Sequence, residues 1–228
     1  MGWLSQTFTS SVGKKLVMAI TGLFLISFLI VHLSGNFLLL KNDNGAAFLQ
    51  YSEFMKTNPV ILIMEVVLFL GFIFHAFNGF RLALENKRAR PVDYAVNRPS
   101  ENSSFFSRTM VWTGSIVFIF LVIHLKSFFV DHKVTAWMGA THEETLYQAV
   151  VSAFQNPVYT WFYVVAMVLL GFHLNHGFQS AFQTLGLNHK KFTPLIQKLG
   201  LFYAIVVPLL FAYVPLYFLY IYKSTGGN

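Results

Sequence analysis

Four histidines, His32, His75, His124 and His173, stand inside long apolar stretches of this 228-residue chain. Imidazole is the commonest metal-ligating side chain, and an ionisable group within a membrane-length apolar segment is costly enough to imply a function. A single such histidine is adequately explained as a polar side chain bonded to a neighbouring helix. Four of them, one in each of four successive stretches, point to a shared task. Two imidazoles from facing helices fill both axial positions of a haem iron, while the apolar porphyrin packs among aliphatic and aromatic side chains. A haem held in this way carries electrons and does not activate oxygen. His132, His142 and His189 fall between the apolar stretches and read as solvated loop residues.

The elements that must position these residues are read from apolar run lengths. Stretches at about 16–40, 59–84, 110–130, 157–184 and 199–222 are each long enough to cross a bilayer, which takes ~20 mostly apolar residues. Composition agrees: 55% of the residues are hydrophobic, 18% aromatic and 11% charged, against roughly 25% charged in an ordinary soluble domain. The expected fold is an all-α integral membrane protein, residues 1–228 forming one transmembrane domain, a five-helix bundle that encloses two b haems in membrane lipid. The first run follows Lys14 and Lys15 but exceeds a signal-peptide core of about 7–15 residues, so it reads as a retained helix. The fifth carries Pro208 and Pro215 and no histidine, which suits a kinked packing element. With no cysteine in the chain, disulfides, thiol catalysis, cysteine-ligated clusters and covalent c-type haem are excluded.

Charge sets the orientation. The net charge is +7, and eleven of the sixteen basic residues fall in the N-terminus, the second loop and the fourth loop. By the positive-inside rule the N-terminus is cytoplasmic and the C-terminus outside. Topology accounts for the basic face, so no nucleic-acid partner is expected. His32 and His124 come about seventeen and sixteen residues after their helices enter from the inner side, so both lie nearer the outer face. His75 and His173 each come sixteen residues after an entry from outside, at Pro59 and Pro157, and lie nearer the inner face. At 1.5 Å rise per residue, His32 stands ~25 Å above the inner boundary and His75 ~9 Å. Two stacked pairs follow, ~16 Å apart, an electron path through the bilayer.

Local signals refine this plan. Asn58-Pro59 and Asn156-Pro157 make matching helix entries, with proline near a first turn where its missing N–H is harmless. The inner loop 85–107 is expected to lack regular structure, and in the outer loop 131–156 Thr141 with Glu144 suits a capping box for a surface helix. Gly71 and Gly79 flank His75 by four residues, and Gly177 follows His173 by four, which leaves bare backbone for a flat macrocycle or for close helix packing. His176 is the rival ligand on the fourth helix; it lies about 60° round the helix from His173 and lacks a glycine four residues on.

The segments Phe28-Leu29-Ile30-Val31-His32, Phe74-His75-Ala76-Phe77-Asn78-Gly79, Ile123-His124 and Phe172-His173-Leu174-Asn175-His176-Gly177, with Met138-Gly139-Ala140, carry a family resemblance. The chain resembles the di-haem cytochrome b subunit (b558 type, single-chain membrane anchor) of succinate dehydrogenase and fumarate reductase. This implies two haem b groups, the inner held by His75 with His173 and the outer by His32 with His124. It also implies a flavoprotein subunit and an iron–sulfur subunit docked at the cytoplasmic face of a bacterial inner membrane. Electrons would pass between them and a quinone, menaquinone. The resemblance places an acidic residue of the quinone site near the outer ends of the first two helices, and Glu53 is the nearest candidate beside its reading as a solvated loop carboxylate. Some relatives of this type carry a proton-conducting glutamate two residues before the fourth-helix haem histidine; here that position is Gly171, so this path is not expected. Two other classes use intramembrane histidines: the cytochrome b anchor of another quinone-linked dehydrogenase or hydrogenase, and a proton-relay transporter.

Overall fold

A computed structural model describes residues 2, 10–89, 104–139 and 144–222, and every regular element among them is helical. The first long helix, α1 (Ser11–Asn36), starts where the Ser10 hydroxyl accepts the Gly13 N–H and ends in a 3₁₀ turn, Phe37–Leu40. Then come α2 (Ala46–Thr57), α3 (Pro59–Arg88), the single turn α4 (Phe105–Arg108) and α5 (Met110–His124). From Leu125 to Val134 the α5 rod continues with the wider i→i+5 winding of a π-helix, and it closes in the short turn α6 (Thr135–Trp137). The chain finishes with α7 (Leu146–Gln155), α8 (Pro157–Thr184) and α9 (Thr193–Tyr220).

Five of these rods are long and apolar enough to cross a membrane. The second crossing runs to Arg88 and the fifth begins at Thr193, so both extend further, at the end that the charge pattern marks as inner, than their apolar runs alone suggest. The inner loop is correspondingly shorter than expected: 85–88 is helical, as is Phe105–Arg108, and the expectation for 90–103 falls outside the described residues. Asn58 and Asn156 do cap the two proline entries, each side-chain oxygen accepting the second and third N–H groups of its helix. The outer surface helix begins later than Thr141 would place it. Its capping box is Thr145 with Gln148, heading α7; Thr141 lies outside the described residues.

Packing makes a ring of four. α1 packs on α3, α3 on α5, α5 on α8 and α8 on α1, which sets α1 opposite α5 and α3 opposite α8; α9 lies outside the ring against α8 and α1. Gly171 lets the α9 backbone come close, since a Cβ there would stand 2.8 Å from the Ala204 carbonyl oxygen. On the outer side α2 and α7 meet over the bundle. Gly45 heads α2 at φ 82°, its absent Cβ leaving room for the Tyr147 ring of α7. Burial pushes the Tyr147 phenol up, helped by its bond to Tyr222, so this plug stays neutral. At the inner side the Lys14 ammonium and Arg81 guanidinium both donate to Glu85, tying α1 to α3.

Candidate cofactor-binding site

The ring of helices brings the four histidines together in two pairs. His32 of α1 meets His124 of α5 with ring centroids 5.7 Å apart, and His75 of α3 meets His173 of α8 at 6.3 Å. Each pair therefore spans a diagonal of the ring. Two imidazoles that share one metal, each nitrogen ~2 Å from it, would hold their centroids roughly 6 Å apart, so both pairs have the spacing of residues that would hold one ion between them. His173, not His176, is the α8 residue whose ring meets His75.

The atoms behind the histidines favour the same orientation. The Thr21 hydroxyl of α1 lies 3.2 Å from His75 Nδ1, and the Tyr163 hydroxyl of α8 lies 3.2 Å from His124 Nδ1. A ring that donates its Nδ1–H to such an oxygen presents the Nε2 lone pair for a metal, with tautomer and direction both fixed. Tyr163 in turn lies 3.0 Å from the Tyr159 hydroxyl, one helical turn nearer the outer end of α8. Phe28 stacks on His32 at 5.4 Å, and Phe120 stacks on His124 at 5.8 Å, so the outer pair is walled by aromatic rings.

These neighbours recur with the histidines. Met18, Thr21, Gly22, Phe28 and His32 on α1 have the same spacing as Met110, Thr113, Gly114, Phe120 and His124 on α5. Asn58, Pro59, His75 and Gly79 on α3 have the spacing of Asn156, Pro157, His173 and Gly177 on α8. The structure makes the repeat spatial: a Cβ on Gly22 would meet the His75 ring at 3.3 Å and one on Gly114 the His173 ring at 3.1 Å. A Cβ on Gly79 or Gly177 would stand 3.8 Å from a methionine methyl, Met18 in one case and Met110 in the other. Gly71 behaves differently. Phe24 of α1 fills the space beside it, so it serves helix packing. Gly22 and Gly114 were legible as repeated Thr-Gly steps ahead of each outer histidine, but only a comparison of the two halves exposes them.

Acidic residues separate into an open and a closed setting. Glu53 is exposed on α2 and lines a cleft of about 470 Å³ on the outer side with Lys56, His132, Glu144 and Thr145. Glu65, which the run-length reading passed over, lies within α3 and accepts a hydrogen bond from the Lys133 ammonium of the π-wound segment. Lys133 is 7% exposed and also sits over the Phe129 and Trp137 rings, at 5.5 and 5.0 Å. A carboxylate inside an apolar span needs such a partner, and the intramembrane position of Glu65 was its signal in the sequence.

Residues 15–95 match the family described as succinate dehydrogenase/fumarate reductase transmembrane subunit. Over that stretch the chain is similar to the family. It is also similar to the succinate dehydrogenase cytochrome b558 subunit of Bacillus subtilis (strain 168), with 25% identity over 203 residues, 86% of each chain. No solved structure matches the chain. The family match covers most of α1 and all of α3 and thus His32 and His75, one member of each facing pair.

Proposed function

We propose that the chain is the membrane anchor and electron-transfer subunit of a succinate:quinone oxidoreductase, passing electrons between an iron–sulfur subunit and menaquinone. Two b haems would supply the redox chemistry, each cycling between ferric and ferrous iron. His75 with His173 would hold the inner one, His32 with His124 the outer one. The observation that carries this reading is the pair of facing histidines on each diagonal of the four-helix ring. The family match over residues 15–95 supports the enzyme context, and the name of the Bacillus subtilis relative supports haem b.

The residues of this chain would divide the work by position. Thr21 and Tyr163 hold ligand tautomers, Phe28 and Phe120 exclude water, and the inner ends of α1 and α3, tied by Lys14, Arg81 and Glu85, form part of the face on which the flavoprotein and iron–sulfur subunits dock. That face is cytoplasmic in a bacterial inner membrane, with the C-terminus outside. Quinone would react at the outer end, where Glu53 lines the open cleft and a carboxylate can exchange the protons that accompany quinone electrons.

Pyridine haemochrome analysis of the purified chain tests the reading, with two b haems per polypeptide expected. One haem, or none, would reject it. Reduced b-type bands also separate it from a histidine proton relay in a transporter, and co-purification with a flavin-bearing subunit separates it from the anchor of another dehydrogenase or hydrogenase.

A further inference from the structure

The inner histidines are served unequally. The Thr21 hydroxyl lies 2.7 Å from the Val17 carbonyl oxygen and donates to it, and it keeps a lone pair for His75 Nδ1. Its repeat counterpart, Thr113, is 4% exposed, and its hydroxyl lies 3.1 Å from both the Thr109 and the Met110 carbonyl oxygens. Donating to either leaves it the same spare acceptor capacity. Among the described residues, His173 Nδ1 is the one buried side-chain nitrogen or oxygen with no hydrogen-bond partner. A Cβ on Gly114 would stand 3.1 Å from His173 Cε1 and 3.4 Å from Nδ1, as one on Gly22 would stand 3.3 and 3.8 Å from the same atoms of His75. In both halves, then, the Nδ1 edge of the imidazole lies against a glycine whose preceding residue is a buried or half-buried threonine.

We propose that Thr113 is the positioning residue of His173, accepting the Nδ1–H so that Nε2 is turned toward His75. The proposal rests on the reading of these two histidines as the axial pair of the inner haem. A buried N–H needs an acceptor, and a hydroxyl with an unused lone pair stands next to the glycine that the ring touches. With Thr113 serving His173 as Thr21 serves His75, the inner site is symmetric, with one threonine behind each ligand.

The test uses the full chain assembled with its partner subunits and carrying Thr113→Val, Thr113→Ala or Thr113→Ser. Haem content and a redox titration resolving the two haems are the readouts. Valine keeps the shape and removes the hydroxyl, and alanine serves if valine does not accumulate. Both should weaken retention of one haem about 10–100-fold and move its midpoint potential, with the other haem unchanged, whereas serine should match wild type. Wild-type content and potentials in the valine or alanine variant would overturn the proposal, as would a serine variant as impaired as valine. Failure of the underlying reading looks different: His173→Ala would then leave both haems in place.

Discussion

Tyr163 gives His124 a backing unlike that of His75, because its phenol belongs to a hydroxyl pair that continues to Tyr159 near the outer end of α8. Tyr163→Phe removes the acceptor without changing the ring, leaving a buried imidazole N–H unpaired at a cost of about 1–3 kcal/mol. The expected outcome is a weakened outer haem with a displaced potential and an unaffected inner one, read in the same redox titration. Ligand identity is tested beside it. His75→Ala or His173→Ala should each remove the inner haem and weaken assembly of the soluble subunits, whereas His176→Ala should leave it; absorbance at the haem bands and subunit co-purification decide. Glu53→Gln should suppress menaquinone-linked turnover while both haems stay bound and succinate oxidation with an artificial acceptor persists, since neutral glutamine cannot exchange a proton. Normal quinone-linked turnover would make Glu53 a cleft residue only. Glu65→Gln is the companion variant, because it strips the buried Lys133 of its counter-charge and so probes the second carboxylate of the outer half.

The α9 backbone packs against α8 at Gly171, the position with no side chain at all. Even a Cβ would press on the Ala204 carbonyl, so Gly171→Val should force α9 outward and destabilise the bundle by about 1–3 kcal/mol, seen as a lower thermal midpoint of the purified chain. Apolar run length made all five crossings legible, and the Asn-Pro steps marked two helix starts to the residue. It could not mark α2, whose twelve residues mix Phe48, Tyr51 and Phe54 with polar neighbours and are held by the outer ends of the bundle. Nor could it show the π-wound continuation of α5, which carries the buried Lys133 that meets Glu65 and has no compositional signature. The histidine pairing was legible because depth follows directly from counting residues along a straight rod. The residues behind the rings were not, because Thr21 and Gly22 reach His75 from another helix.

At the scale of the molecule, the two histidine pairs lie at the middle of the ring of helices, where a soluble bundle would place core aliphatics. The haems would therefore be part of the core. Chain produced without haem should be more readily cleaved by protease in isolated membranes than haem-loaded chain, and added haem should restore resistance; equal cleavage would contradict this structural role. The uneven charge predicts the orientation: a reporter fused to the N-terminus should be cytoplasmic and one fused to the C-terminus external. The recurring residues of α1 with α3 and of α5 with α8 carry a last consequence. The hairpins run in the same sense, so they are related by a rotation about an axis along the membrane normal. Each facing pair joins a residue to its own counterpart, so each pair lies across this axis and each hairpin supplies half of every pair. A single hairpin could close neither pair, but two identical copies of one hairpin would close both, which makes a symmetric dimer of two-helix units a sufficient starting point for this architecture.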